Sequence, residues 1–461
     1  MKYISTRGGI EPICFEEAVM TGMARDGGLL VPETIPDAST LLPEWKKLSY
    51  PQLAFEIIKL YSDIPEAELK KLIEKSYISF STPEVTPVVK LNSFYILELF
   101  HGPTLAFKDV ALQFLGNLFE YYLQKTTRQL NIIAATSGDT GSAAIYGVRG
   151  KNKIRIFVMH PHGRISRTQE LQMTSVVDGN VFNIAVEGTF DDCQRILKKL
   201  FEDVEFKEKY SLGAVNSINW ARILAQIVYY FYAAFRVMEE TKAEKVRFAV
   251  PTGNFGDILA GFYAIRMGLP AGKLILATNE NDILARFFNT GKYSIGPVHK
   301  TISPSMDIQV ASNFERYIYY RYNGNSARVN ELMKRFASAG EFSVEPLQSG
   351  EIDSLFVAGT ANRKATLETI AQYYHRYNYL LDPHTAVGVY VGTQFIKAGE
   401  PLICLATAHP AKFSEAITEA IGKNIARHPK LDALHGLPTK CDVLPASLSE
   451  IKRYIEDKLN K

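Results

Sequence analysis

Short apolar runs rich in β-branched residues recur along the chain beyond about residue 90, each followed by small or polar residues and then by helical periodicity. Runs that are apolar throughout, rather than alternating, are typical of strands covered on both faces of a sheet. We therefore predict an α/β protein with open, mostly parallel sheets. The predicted strands are 131–136, 153–159, 181–186, 246–251, 273–278 and 402–407.

The first 90 residues show a different pattern. The turn-rich stretch RDGGLLVPETIP precedes two helical patterns at 50–63 and 65–77, and the prolines of STPEVTPVV mark a break after them. This segment predicts a small N-terminal domain.

The loop PTGNFGD follows the predicted strand 246–251. Gly253 and Gly256 allow close backbone approach, and the next helix would present its free N–H groups, which together favour a phosphate site. A tight turn that needs glycine for geometry alone explains the loop equally well. Neither the G-x-G-x-x-G nor the P-loop spacing is present, so a nucleotide is disfavoured as the owner of the phosphate.

A second loop, TSGDTG, brings Ser137, Thr140 and Ser142 together with two glycines at another strand-to-helix junction. Hydroxyl and N–H groups placed there favour binding of an anion such as a carboxylate. The alternative is a capped helix start, since Ser, Thr and Asp are preferred caps.

A single lysine, Lys108, stands at the start of a predicted apolar helix. Phe107, Val110, Phe114 and Leu118 recur at helical spacing, and Pro103 lies just before or within the first turn. The positive end of a helix dipole disfavours a cation, so the free amine that a nucleophilic lysine needs is favoured. The alternative is a lysine on a solvated helix face.

Composition narrows the function classes. The chain has 461 residues, of which 46% are hydrophobic and 22% charged, and a formal net charge of +3. No run of like charges indicates nucleic-acid or membrane binding, and neither a signal peptide nor a membrane span is predicted, so we expect a cytoplasmic protein that acts on a small molecule. The separated cysteines and histidines predict no disulfide framework and no metal site.

Four motifs in fixed order carry a resemblance to a known family: HGPTLAFKD, ATSGDTG, PTGNFGD and ATAHPAKF, with DGGLLVPETIP before them and NSINWARILAQ in mid-chain. The set resembles the threonine synthase family, pyridoxal-phosphate (PLP) enzymes related to the tryptophan synthase β subunit. The resemblance implies PLP fold type II, with two open, mostly parallel α/β domains and a small N-terminal domain. The predicted division is an N-terminal domain 1–92, a large domain 93–128 and 237–425, a small domain 129–236 and a C-terminal extension 426–461.

The same resemblance implies a role for individual residues. Lys108 would bear PLP covalently and act as the general base at the substrate Cα, with Phe107 beside the cofactor. Thr407 would place a neutral hydroxyl at the pyridine nitrogen, which limits charge delocalisation into the ring. The phosphate cradle would consist of Gly253, Asn254, Phe255, Gly256 and Asp257.

The implied substrate is O-phospho-L-homoserine, which is converted with water to L-threonine and phosphate. Ser137 and Thr140 would bind its carboxylate. A planar guanidinium suits a phosphate group, although ordinary ion pairing is the alternative for each arginine. The candidates for the substrate phosphate are Arg164, Ser166, Ser217, Asn219 and Arg222.

One position departs from the pattern. Many relatives have S-G-N-T where this chain has Asp139 in place of the Asn, whose amide would bond the ring hydroxyl of PLP. We therefore assign the loop chiefly to the substrate carboxylate.

Two other functions remain open from the sequence. A PLP-dependent phospholyase or dehydratase would release 2-oxobutyrate, and a non-catalytic ligand-binding relative would retain the fold alone. The expected assembly is a monomer or a homodimer.

Overall fold

The structure, a computed structural model, describes residues 1–136 and 138–460, along which strands and helices alternate for most of the length. The strands are β1 (Tyr3–Ser5), β2 (Leu30–Pro32), β3 (Val88–Leu91), β4 (Phe94–Glu98), β5 (Leu130–Ala135), β6 (Ile154–Pro161), β7 (Val181–Glu187), β8 (Leu212–Gly213), β9 (Val246–Pro251), β10 (Ala271–Thr278), β11 (Lys292–Ser294), β12 (Glu341–Ser343), β13 (Phe356–Thr360), β14 (Leu402–Ala406) and β15 (Asp442–Pro445). The α-helices are α1 (Phe15–Thr21), α2 (Leu42–Trp45), α3 (Tyr50–Lys59), α4 (Glu66–Tyr77), α5 (Lys108–Gln124), α6 (Asp139–Val148), α7 (Arg167–Thr174), α8 (Phe190–Glu202), α9 (Val204–Lys209), α10 (Trp220–Thr241), α11 (Gly256–Arg266), α12 (Ile283–Thr290), α13 (Phe314–Arg321), α14 (Ser326–Ala339), α15 (Arg363–Tyr377), α16 (Pro383–Thr393), α17 (Ser414–Ile421), α18 (Pro429–Asp432) and α19 (Leu448–Leu459).

The larger sheet has the strand order β13-β10-β9-β14-β4-β3. All neighbouring strands in it run parallel except β3, which pairs antiparallel with β4 at one edge. The predicted strands 246–251, 273–278 and 402–407 correspond to β9, β10 and β14. The short strands β4 and β13 were not predicted from the sequence.

The smaller sheet has the order β15-β7-β6-β5-β8, and all its pairs are parallel. The predicted strands 131–136, 153–159 and 181–186 correspond to β5, β6 and β7, and the α/β class is confirmed. Its edge strand β15 comes from the predicted C-terminal extension, whose helix α19 buries Ile451 and Ile455 in the same apolar cluster. The extension therefore completes the smaller sheet.

The N-terminal segment shares a core with the middle of the chain. The predicted helices over 50–63 and 65–77 are α3 and α4. The ring of Tyr3 lies 5.8 Å from that of Trp220 on α10, and Trp45 lies 5.4 Å from Phe231 on the same helix. One apolar cluster thus spans both sides of the predicted boundary at residue 92.

Strand order explains why distant motifs meet. β9, β14 and β4 are neighbours in the larger sheet and run parallel, so the segments that leave their carboxyl ends emerge at one edge. Those segments are the glycine loop 252–256, the ATAHPAKF motif and the HGPTLAFKD motif. Ligands of open α/β sheets bind at this edge.

Helices α5 and α6 approach each other through paired glycines. A Cβ on Gly116 of α5 would lie 2.0 Å from the carbonyl oxygen of Gly147 on α6, and a Cβ on Gly147 would lie 2.5 Å from the carbonyl oxygen of Leu112. The contact holds the two helices close enough to bring their first residues, Lys108 and Asp139, to one place.

Replacing Gly116 by alanine should therefore destabilise the protein. The methyl group would push against a backbone oxygen that cannot rotate away, and overpacking of this kind costs about 1–3 kcal/mol, more than the better helix propensity of alanine returns. We expect a lower urea midpoint for Gly116→Ala, measured by circular dichroism. The control is Gly179→Ala, where a Cβ meets no atom within 4 Å; equal midpoints for the two variants would contradict the packing argument.

Candidate active site

Lys108 is the first residue of α5, as the sequence predicts. The preceding residue is tied to the end of β14, because the N–H of Phe107 donates to the carbonyl of Thr407 at 2.8 Å and Ala106 pairs with Ala408. The amine is thereby placed at the edge of the sheet where the other motifs emerge.

The amine of Lys108 is buried among polar groups. Its Nζ donates to Ser305 Oγ at 3.3 Å, lies 3.8 Å from Asp139 Oδ2 and lies 5.6 Å from the ring centroid of Phe107. Burial lowers its pKa to about 8, and the charges of Arg222 and Lys412 oppose the attraction of Asp139. A substantial fraction of free amine therefore exists close to neutral pH, as nucleophilic attack requires.

Asp139, the position that departs from the expected motif, forms a buried ion pair. Its Oδ1 lies 3.0 Å from Lys412 Nζ and accepts a 3.0 Å hydrogen bond from Gln169 Nε2. Burial alone would raise the pKa of Asp139, but the charges of Lys412 and Lys108 and the Gln169 hydrogen bond hold it below its usual range. Asp139 is therefore an anion beside the amine of Lys108.

Ser305, which contacts the amine, is held by a buried histidine. The Ser305 N–H donates to His384 Nε2 at 3.2 Å, and His384 Nδ1 lies 2.8 Å from Asp382 Oδ1. The hydroxyl of Thr385 donates to the same carboxylate and accepts from the N–H of Thr407 at 3.2 Å. This chain of contacts links the partner of the amine to the end of β14.

The glycine loop after β9 forms an open cradle. A Cβ on Gly253 would lie 2.7 Å from the Ser305 carbonyl oxygen, so only glycine allows this approach. Within residues 1–136 and 138–460, the backbone N–H groups of 253–256 find no acceptor, and α11 adds the positive end of its dipole. The carbonyl of Asn254 is fixed by the side chain of Asn313 at 3.2 Å.

Two side chains of this motif face away from the cradle. Phe255 adopts a φ of 62° and buries its ring against Phe288 and Phe314. Asp257 accepts hydrogen bonds from the hydroxyls of Tyr229 at 2.5 Å and Tyr230 at 3.0 Å, and burial raises its pKa to about 6. Both residues can therefore serve an anion only through their backbone.

Arg222 is a buried cation without a carboxylate. It is 4% exposed, its Nη1 donates to the carbonyl of Val215 at 3.0 Å, and its Nε has no partner among the described residues. No described acidic side chain lies within 4.0 Å of it. Burial lowers its pKa to about 10, so the group stays charged and available to an anion.

The other residues predicted to bind the substrate phosphate contact other groups or lie at the surface. Asn219 caps α10, with its side chain accepting from Ala221 N–H and donating to the carbonyl of Val19, so its amide is already engaged. Ser217 Oγ pairs with Ser312 Oγ at 2.9 Å. Arg164 is exposed, and Ser166 caps α7 by accepting from the N–H of Gln169.

Ser137 lies outside the described residues. Its neighbour Thr140 is in the first turn of α6, where the N–H groups of Asp139 and Thr140 have no acceptor in the described part of the chain. Thr136 organises the turn by accepting from the N–H groups of Gly138 and Gly141, each at 3.0 Å. The loop geometry thus suits a small anion.

Sequence reasoning missed several residues of this cluster. Lys412 lies inside a motif that was singled out, but nothing local indicates that its ammonium pairs with Asp139. The sequence around His384 gives no sign that this residue contacts Ser305. Ser305 and Gln169 carry no sequence signal, because neither belongs to a recognisable motif.

The residues around Lys108 fit PLP, the cofactor that the sequence predicts. Lys108 offers a buried amine of lowered pKa, the 253–256 backbone offers a phosphate cradle, and the hydroxyl of Thr407 has no partner among the described residues. A buried cation at Arg222 remains for a second anionic group.

Comparisons with known proteins agree with this reading. Family models described as threonine synthase N terminus, pyridoxal-phosphate dependent enzyme and threonine synthase C-terminal match residues 2–77, 81–352 and 385–455. The chain is 49% identical to the threonine synthase of Schizosaccharomyces pombe, covering 91% of this chain and 89% of the relative, and 45% identical to that of Pseudomonas aeruginosa, covering 100% and 99%. The crystal structure of a PLP-bound threonine synthase from Brucella melitensis superimposes with a TM-score of 0.96 at 41% identity, covering 100% of both chains.

Replacing Lys108 by methionine should stabilise the ligand-free chain at pH 7. Lowering the lysine pKa from 10.5 to about 8 corresponds to roughly 3 kcal/mol against folding. The unfolded chain keeps this proton up to about pH 10.5 while the folded chain releases it near 8, so wild-type stability rises with pH over this interval.

The gain of Lys108→Met in free energy of unfolding should accordingly shrink from pH 8 towards 10.5. Urea titrations of both proteins across that range measure it. Lys71→Met is the control, since the Lys71 side chain is 73% exposed; a gain of Lys108→Met that is independent of pH would argue against the buried amine.

Proposed function

The chain belongs to the threonine synthase family of pyridoxal-phosphate-dependent enzymes, and we propose that it converts O-phospho-L-homoserine and water to L-threonine and phosphate with Lys108 as the cofactor-bearing residue. The observation that carries the proposal is the arrangement of one buried amine between two anion sites. The amine is Lys108. The anion sites are the backbone N–H groups of 253–256, which have no acceptor among the described residues, and the guanidinium of Arg222, which has no carboxylate partner among them. The N–H groups of 253–256 would bind the phosphate of the cofactor. Arg222 would bind the phosphate of a substrate whose own amine replaces that of Lys108 on the cofactor.

The residues of the cradle would hold the cofactor. Gly253, Asn254, Phe255, Gly256 and Asp257 would bind its phosphate through backbone N–H groups, Thr407 would meet the pyridine nitrogen, and Phe107 would lie beside the ring. Bound pyridoxal phosphate would supply an electron sink that stabilises negative charge on the carbon atoms of the substrate. The neutral hydroxyl of Thr407 would limit the withdrawal of electrons into the cofactor ring.

The protein's own groups would carry the proton transfers and the leaving group. Lys108 would remove the proton at Cα, because its lowered pKa makes it a base near neutral pH. Arg222 would bind the substrate phosphate through its planar fork and neutralise the charge that develops as phosphate leaves Cγ. A proton would then move from Cβ to Cγ, and water would add its hydroxyl at Cβ and a proton at Cα.

The other predicted substrate contacts stay part of the proposal. Ser137 and Thr140 would bind the substrate carboxylate, a role supported by the free N–H groups of Asp139 and Thr140. Ser217 and Asn219 border Arg222 through the start of α10. Arg164 and Ser166 would have to reach the phosphate from the surface of the smaller sheet's domain.

We further propose a cytoplasmic enzyme that works as a monomer or a homodimer and binds neither nucleic acid nor membranes. The near balance of 52 basic and 49 acidic residues supports the absence of a nucleic-acid partner. None of the described helices combines the length and apolar character that crossing a bilayer requires.

Borohydride reduction of the PLP-loaded protein, followed by peptide mapping, should place the label on Lys108. The same enzyme supplied with O-phospho-L-homoserine should release phosphate and threonine in equal amounts. Lys108→Ala should lose both the label and the activity. Label on another lysine, or 2-oxobutyrate as the main product, would reject the proposal.

Replacing Arg222 by glutamine should raise the KM for O-phospho-L-homoserine about 10- to 100-fold, since a hydrogen bond to a charged group contributes roughly 1.5–3 kcal/mol. Arg222→Lys keeps the charge but not the planar fork, so its KM should lie between those of the wild type and Arg222→Gln. The matched control is Arg316, also fully buried, whose guanidinium donates to the carbonyls of Leu30 and Ile218. Arg316→Gln should lower thermal stability more than it raises KM; the reverse pattern would refute the assignment.

A further inference from the structure

Lys412 is a buried cation beside the active site. Its side chain is 0% exposed, and its ammonium donates to the Thr104 carbonyl at 2.7 Å and to Gln172 Oε1 at 2.7 Å. It also forms an ion pair with Asp139 Oδ1 at 3.0 Å. Lys412 is therefore held in place as a fixed positive charge.

The two oxygens of Asp139 serve different partners. Oδ1 is occupied by Lys412 and by Gln169 Nε2, both at 3.0 Å. Oδ2 lies 3.8 Å from Lys108 Nζ. The carboxylate thus stands between two lysines, one immobilised and one available for chemistry.

We propose that Asp139 and Lys412 form a positioning pair that sets the protonation of the Lys108 nitrogen, with Asp139 stabilising its cationic form and Lys412 limiting that stabilisation. The inference rests on the proposed function, because it takes Lys108 as the cofactor-bearing amine. It also gives a reason for the aspartate at a position where many relatives have asparagine. An asparagine there would leave Lys412 as an unpaired buried cation, which is strongly destabilising.

The charges around Lys108 define the direction in which each substitution should change its protonation. Lys108 is faced by the carboxylates of Asp139 and Asp109 and by the cations Arg222 and Lys412. Removal of Asp139 should therefore ease deprotonation of Lys108, and removal of Lys412 should oppose it.

Two other ionisable groups lie near this pair, His384 and Asp109. Asp139 is faced by Lys412, Lys108 and His384. Asp109 is occupied by the N–H and hydroxyl of Thr104 at 2.8 and 2.7 Å, so it does not substitute for Asp139 at the amine.

The test is the pH dependence of cofactor capture. The full-length chain, freed of cofactor, is mixed with pyridoxal phosphate over a range of pH, and the product is reduced with borohydride and quantified on the Lys108 peptide. The wild-type midpoint is expected near the amine pKa of about 8. The titration of pyridoxal phosphate itself is the same for every variant, so differences in midpoint report on Lys108.

The two substitutions should move this midpoint in opposite directions. Asp139→Asn should lower it by about one pH unit, a tenfold change in the protonation constant, and Lys412→Met should raise it by about as much. The double variant should fall between them. A role limited to structural support would change stability without producing opposite shifts.

Two further variants keep the test decisive. Lys151→Met removes one partner of a half-buried ion pair, in which Lys151 lies 2.9 Å from Glu120 near the far end of α5, and it should lose stability without moving the midpoint. Lys412→Arg serves as the second variant if Lys412→Met does not fold. It keeps the positive charge, so its midpoint should stay within about half a pH unit of the wild-type midpoint.

The outcomes separate the two levels of the proposal. Label on a lysine other than Lys108 would reject the proposed function. Label on Lys108 with an unchanged or raised midpoint in Asp139→Asn would overturn the pair alone, as would a shift in Lys412→Arg as large as that of Asp139→Asn.

Discussion

The burial of one lysine amine is the constraint around which this site is organised. Taking the Lys108 amine out of water lowers its pKa to about 8, and the cost of a buried charge is high unless other groups compensate. The surrounding structure compensates only in part: Asp139 attracts the cation while Arg222 and Lys412 repel it. Complete compensation would keep the amine protonated at neutral pH, so the incomplete balance leaves part of it as the free amine.

Sheet order makes that balance possible. The strands β9, β14 and β4 lie side by side and end at one edge, which brings the glycine cradle, Thr407 and Lys108 together from widely separated parts of the chain. The glycine contact between α5 and α6 adds the smaller sheet's loop, with Asp139, to the same place. Each charged group near the amine is carried on a different element, so the electrostatic balance depends on the packing of both sheets.

The binding surfaces for anions come mostly from backbone rather than side chains. Phe255 and Asp257 point into the aromatic core and towards two tyrosines, and the loop they frame offers only N–H groups. Arg222 is the exception, a side-chain cation of 4% exposure that has no carboxylate partner among the described residues. Backbone donors suit a cofactor phosphate that stays bound, whereas an unpaired guanidinium suits a phosphate that arrives with the substrate and must leave.

The sequence alone determined the parallel α/β class, six central strands, the helix that starts at Lys108 and the motifs of the site, because apolar periodicity and glycine-rich junctions are local properties. It did not predict the short strands β4 and β13 or the strand that the C-terminal segment adds to the smaller sheet. The pairing of Lys412 with Asp139, the support of Ser305 by His384 and the outward turn of Asp257 were decided only by tertiary structure. Each of these contacts depends on which strands become neighbours. The residues next to a position in sequence do not indicate which distant charge or hydroxyl will contact it in the folded protein.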